Sequence, residues 1–138
     1  MDWKLEVVIV PVTDVDRAKE FYAEKLGFPV DVDHSAGDSF RVVQVTPPGS
    51  ACSMVFGKGI ADAEPGSLKG NNLVVDDIEA AHAHLEAAGI ENSGLQHFED
   101  GVMTPGPDPQ RQRYGTYIFF GDPDGNTWAV QEVPKSAG

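Results

Sequence analysis

Two stretches of this chain match at a constant offset of 63 residues: Val12 falls on Val75, Asp14 on Asp77, Val15 on Ile78, Ala18 on Ala81 and Tyr22 on Leu85. Four of these matches pair residues of the same chemistry, and the fifth sets an aromatic residue against an aliphatic one in the same local pattern. A tandem repeat of one supersecondary unit is the simplest account, and it limits the chain to folds that can be built from two copies.

The first copy opens with Leu5 to Val12, a short apolar run rich in β-branched residues that reads as a strand. Pro11 lacks an N–H, so that strand belongs at a sheet edge. Thr13-Asp14-Val15-Asp16 supplies a helix cap and a first-turn carboxylate. Val15, Ala18, Phe21, Tyr22 and Leu26 then recur at helical spacing up to Gly27. Three β-type segments follow, Phe28 to His34, Ser39 to Thr46 and Ala51 to Phe56, separated by Ser-Ala-Gly-Asp and Pro-Pro-Gly-Ser turn signals. The unit is βαβββ.

The second copy has a strand at Asn71 to Val75, a capped helix with Ile78, Ala81, Leu85 and Ala88 on its apolar stripe, and β-type segments at Glu91 to Phe98, Tyr114 to Phe120 and Asn126 to Val133. Asp122-Pro123-Asp124-Gly125 suits a type I turn between the last two. The chain therefore reads as one domain over 1–138, with module one at 4–57, a linker at 58–69 and module two at 70–133. The Pro/Gly-rich stretch Asp100 to Arg113 stands outside the repeat as a loop, either a solvated connection or a lid.

Twenty-two acidic residues against ten basic ones give a net charge of −12, which argues against nucleic acid and anionic membranes as partners. Cys52 is the one cysteine, so an internal disulfide framework and multi-cysteine zinc sites are excluded. The start of the sequence lacks a signal-peptide pattern and no apolar run reaches spanning length, so a soluble, cytoplasmic protein is expected.

The segments VPVTDVDRAKEFYAEKLGF at 10–28, VVDDIEAAHAHLEAAGI at 74–90 and FFGDPDGNTWAVQEV at 119–133 resemble the vicinal oxygen chelate superfamily, which includes glyoxalase I, bleomycin resistance proteins and extradiol dioxygenases. The resemblance covers both modules in order. It implies an α+β fold in which two tandem βαβββ modules form an open, barrel-like mixed sheet around a cavity, with the helices outside. It also implies a homodimer, with the cavity formed either within one chain or between two. In metal-binding members, His and Glu side chains on the first and last strand of each module hold a divalent ion that acts as a Lewis acid. Carried onto this sequence, those four positions are Val7, Met54, Gly70 and Ala129. None supplies a donor suited to zinc, nickel, iron or manganese, and a one-residue slip in register does not assemble a ligand set. No metal and no cofactor are expected at that site.

With Ala129 on the cavity face, strand alternation adds Gln131, and the same logic adds Val7 and Ile9, Met54 and Phe56, and Asn72 and Val74. That is an apolar wall with two amides, the composition of a small-molecule site, unless its own side chains fill the space. The candidates for chemistry are His97 as general acid or base and Tyr114 as an oxyanion donor, with Arg113 or Arg111 holding an anionic group. Surface ion pairs are the plain reading of both arginines, and a strand-start position that of Tyr114. His84 is expected to be partly buried and His82 solvated, and the two do not form a chelating pair. His34 and His97 are repeat mates. Cys52 reads as a small buried hydrophobe.

The expected function is a glyoxalase-like or bleomycin-resistance-like protein that binds a small apolar organic molecule in a metal-free cavity, as a binder or as a metal-independent enzyme. The alternatives are a divalent-metal-dependent lyase, isomerase or dioxygenase with relocated ligands, and a partner-binding domain with no open cavity.

Overall fold

The computed structural model describes residues 1–135 and has an α+β fold with two sheets, of four and five strands, and no closed barrel. Two compact units form, one from residues 1–68 with the turn 122–126 and one from residues 69–121 with residues 127 onward.

In the first unit the strands are β1 (Val7–Ile9), β2 (Val30–Ala36), β3 (Phe40–Val45) and β4 (Ser53–Lys58), in sheet order β1-β4-β3-β2. β1 runs parallel to β4 and the other pairs are antiparallel. β1 is shorter than its apolar run, because Pro11 cannot donate; pairing extends past Ile9 only through Val10 N–H to the Val55 carbonyl. Helix α1 (Val15–Lys19) is capped by the Asp14 carboxylate, which accepts from Arg17 N at 3.1 Å.

The expected single α-helix continues instead as a π-helical segment, Glu20–Lys25, and Leu26 N–H bonds five residues back to the Phe21 carbonyl. The wider turn lets the adjacent Phe21 and Tyr22, which meet edge-on, and Leu26 all be buried. The Tyr22 ring lies 5.6 Å from that of Phe56, within a core that includes Val10, Val43, Val45 and Met54. Its hydroxyl donates to Asp122 at 2.7 Å, and Asp122 also accepts from the Asn126 side-chain amide at 2.8 Å. Asn126 in turn donates to the Pro11 carbonyl and accepts from Leu68 N. The turn is thus a buried polar hub as well as a chain reversal.

In the second unit the elements are β5 (Asn71–Val75), α2 (Ile78–Ala87), β6 (Gln96–Glu99), β7 (Val102–Pro105), β8 (Thr116–Gly121) and β9 (Thr127–Glu132), with sheet order β5-β9-β8-β6-β7. α2 is capped by Asp77, which accepts from Ala80 N. Ile78, Leu85, Ile118, Phe120, Trp128 and Val130 are buried, those of β8 and β9 on one face of the sheet. The unit carries one strand more than βαβββ. β7 occupies part of the expected loop, and the hairpin joining it to β6 turns at Asp100-Gly101, both at positive φ (51° and 79°), the geometry of a two-residue reversal. The expected strand Glu91 to Phe98 shrinks to β6, leaving Asn92 with an isolated bridge to Phe120.

Candidate functional site

Sheet register decides which side chains share a face. In the first unit Val7 pairs with Ser53 and Ile9 with Val55, whereas Met54 pairs with Val8 and Val45, and Phe56 with Val43. Met54 and Phe56 therefore lie on the helix side, in the core with Tyr22, and not beside Val7 and Ile9 as expected. Ser53 and Val55 take the places that the alternation argument gave to them. In the second unit Asn72 pairs with Ala129, Val74 with Gln131, Phe119 with Ala129 and Tyr117 with Gln131, so these six share the face away from the buried core.

The positions that carry metal ligands in the resembling family can be tested on this register. Val7 and Val55 are hydrocarbons, Gly70 and Ala129 have no ligating atom, and the Ser53 hydroxyl already sits 2.7 Å from Thr46 Oγ1. Among the described residues no three His, Cys, Asp or Glu side chains gather in a ligand-like group. The residues at these positions do not fit a divalent ion.

The face around Ala129 is instead apolar and aromatic. Val74 and Phe119 are exposed, Tyr117 and Gln131 half-buried, and Ala129 nearly covered. Gln131 Nε2 makes a long contact of 3.4 Å to the Tyr114 carbonyl. Gln96 and Phe98 extend the same face onto β6.

β6 pairs with β8 only at Gln96–Tyr117 and His97–Thr116. Beyond those pairs a cavity of about 580 Å³ opens between the end of β6 and the segment 108–115. His97, Arg113 and Tyr114 all line it, so the structure brings the two candidate catalytic residues and the candidate anion-binding arginine to one place. His97 pairs with Thr116, whose neighbour Tyr117 pairs with Gln131, which puts His97 on the face opposite Ala129 and Gln131. Its ring is buried, with Nδ1 2.8 Å from the Gly106 carbonyl and Nε2 3.5 Å from Glu99. A carbonyl accepts only, so Nδ1 carries a hydrogen, and Nε2 faces the Glu99 carboxylate.

Segment 108–115 is built around two carboxylates. Asp108 accepts from Gln110 N and Gln112 N, and these two N–H groups hold its carboxyl below the usual range. Glu132, fully buried, accepts from Arg111 Nε at 2.8 Å and Nη2 at 2.5 Å and from Ile78 N at the start of α2 at 3.0 Å. The Arg111 guanidinium keeps the Glu132 carboxyl low, and Glu132 holds the guanidinium high. Arg111 is thus a tether to a buried acid rather than a plain surface pair. Tyr114 lies outside β8 at φ 63°, its N–H bonded to the Glu132 carbonyl, and the Arg113 guanidinium sits 5.7 Å from the Tyr114 ring centre.

The remaining candidates stand apart. His34 lies on exposed β2, His82 is half-buried and 3.4 Å from Glu86, and His84 is exposed, the reverse of what the helix pattern predicts. Cys52 is partly exposed, its Sγ 3.6 Å from the Ser53 carbonyl. The sequence reading missed Tyr117, Phe119 and Glu132 as site or tether residues. Alternation outward from Gln131 would have found the first two, while nothing local marks Glu132.

Residues 4–130 match the Glyoxalase/Bleomycin resistance protein/Dioxygenase superfamily, and the chain belongs to that family. Among solved structures it is similar to TnmS3, an antibiotic binding protein from Streptomyces sp. CB03234, at 32% identity and a TM-score of 0.75, covering 97% of this chain and 98% of that one. A glyoxalase/bleomycin resistance protein from the same organism is 32% identical with a TM-score of 0.72, covering 94% and 100%. The uncharacterised protein YetH of Bacillus subtilis (strain 168) is 25% identical over 130 residues, 94% of this chain and 98% of its own.

Proposed function

We propose that the protein is a small-molecule binder, and that its ligand lies without a metal ion on the open face of the second sheet, over Ala129. The observation that carries this reading is the make-up of the face: Val74, Tyr117, Phe119 and Ala129 with the amides of Asn72 and Gln131, and no carboxylate, imidazole or amine among them. The likeness to an antibiotic binding protein supports the same reading. On the first sheet Val7 and Ile9 stand beside the buried Ser53 and Val55, and Arg113 lines the loop cavity. A homodimer is part of the proposal.

The test is calorimetric titration of the purified protein with a panel of small organic molecules, with and without a chelator, and recovery of the bound molecule. Binding that the chelator leaves unchanged, with the ligand recovered intact, is the expected result. A stoichiometric zinc, nickel, iron or manganese ion required for binding or turnover would sink the proposal. Sedimentation checks the dimer.

A second reading is metal-independent acid–base catalysis at the loop cavity, favoured by the way the Gly106 carbonyl fixes the orientation of the His97 ring in the cavity wall. Under it, His97→Gln abolishes turnover of a bound compound while leaving its affinity within about threefold. Under the binder reading there is no turnover to lose.

A further inference from the structure

In a chain with 22 acidic residues and 10 basic ones, a guanidinium has many carboxylates within reach. Arg17 meets Asp124 at 3.2 Å, Arg41 meets Asp16 at 2.6 Å and Arg111 meets Glu132 at 2.5 Å. Arg113, the fourth arginine, meets no carboxylate among the described residues. Its guanidinium lies instead over the Tyr114 ring, 5.7 Å from the centre. So negative a field favours pairing, and an arginine left out of it is a departure that calls for a physical reason.

Arg113 lines the loop cavity from the wall formed by segment 108–115. The facing wall is the end of β6 with the hairpin turn after it, and it brings Glu99 and Asp100 to the same space. Asp100 sits in the turn at φ 51°, and its carboxylate has no hydrogen bond or ion pair among the described residues. Glu99 meets the His97 ring, whose Nε2 lies 3.5 Å away and whose Nδ1 is fixed by the Gly106 carbonyl. Asp108, the third acid of the lining, is occupied by the N–H groups of Gln110 and Gln112. A cation on one wall and two carboxylates on the other thus face a cavity of about 580 Å³ without closing on one another. Beside Arg113, the Gln112 side chain donates to that of Gln110 at 2.7 Å, which leaves the Gln110 amide nitrogen and the Gln112 carbonyl open.

A plain anion in this cavity would meet three carboxylates, and a plain cation would meet Arg113. A molecule carrying both signs meets each at its partner. We propose that the loop cavity is a second binding site, for a zwitterion whose ammonium and carboxylate ends are several bonds apart and joined by amides, the chemistry of a short peptide with free ends. Its carboxylate pairs with Arg113, its ammonium with Glu99 and Asp100, and its amides meet Gln110 and Gln112. The volume lies within the range of small-molecule sites. The cavity shares Phe98 and Tyr117 with the face over Ala129 but uses neither Asn72, Ala129 nor Gln131, so it stands or falls apart from the binding reading above.

The experiment uses three probes of one backbone: triglycine, which carries both charges, triglycine amide, which keeps only the ammonium, and N-acetyltriglycine, which keeps only the carboxylate. Each is titrated into the full chain near neutral pH at low ionic strength, with the backbone amides of 99–100 and 108–115 followed by NMR. Triglycine is expected to shift these signals and to bind about fivefold tighter than either capped form, the upper end for partly exposed ion pairs. Arg113→Gln should bring triglycine and triglycine amide to equal affinity, and Arg113→Lys should keep part of the difference. Glu99→Gln with Asp100→Asn should instead equalise triglycine and N-acetyltriglycine. A capped form that binds the unaltered chain as tightly as triglycine overturns the proposal, in favour of a simple cation site if it is the amide and a simple anion site if it is the acetyl compound. Absence of shifts with all three probes, or a preference for triglycine that survives Arg113→Gln, also overturns it.

Discussion

One carboxylate, Glu132, serves two ends of the second unit: it accepts from the first N–H of α2 and grips the Arg111 guanidinium. Because Arg111 lowers its pKa in the folded chain, Glu132 contributes stability at pH values above its ordinary 4.5, and loses that contribution as the pH falls through the folded value. Thermal melts between pH 7 and pH 3 should show a steep fall below about pH 5, and Glu132→Gln should lower the pH 7 midpoint and flatten that fall. Arg111 is about half exposed, so added salt should weaken the tether only in part. Tyr22 carries a comparable burden in the first unit. Tyr22→Phe removes one donor from the buried Asp122, and urea unfolding should register a loss of about 1–2 kcal/mol. Ala129 acts by what it leaves out, since its methyl offers a metal ion no donor atom.

At the scale of elements, the loop that frames the cavity is held by short-range geometry. A Cβ at Gly115 would stand 2.3 Å from Asp108 Oδ2, a carboxylate already fixed by two backbone N–H groups. Gly115→Ala should therefore disorder segment 108–115, visible as faster amide hydrogen exchange there, with β5 and β9 unaffected. Asp77→Ala should cost about 1 kcal/mol through the lost cap of α2. Both caps, both helix starts and the βα order of each unit could be read from the sequence, since they depend on neighbours along the chain. The face of β4 could not be. Ser53, Met54, Val55 and Phe56 are all buried, so no alternation distinguishes their faces, and only pairing with β1 and β3 sets the register. β7 was hidden by its surroundings: proline and glycine on both sides suggest a loop, although the Asp100-Gly101 pair is itself a hairpin signal. Glu132 reads as an ordinary strand acid because its partner lies 21 residues away in a loop.

For the whole molecule, the charge of −12 means that any ligand arrives through a negative field. Anionic compounds should therefore bind faster as salt is raised, a dependence that stopped-flow measurements at two ionic strengths would reveal. The turn 122–126 carries a consequence for how the chain can be divided. A gene cut inside the linker, or a protease nick there, would yield an amino-terminal half that lacks Asp122 and Asn126, the groups that satisfy the Tyr22 hydroxyl and the Pro11 carbonyl. Sequence repetition suggests two interchangeable halves, but the first is completed by five residues encoded some fifty positions beyond its end. Residues 1–68 alone should show no cooperative melt, and should regain one when 69–138 is supplied as a separate chain. The duplication has left a protein whose halves can be copied independently in a gene but not inherited independently as folded parts.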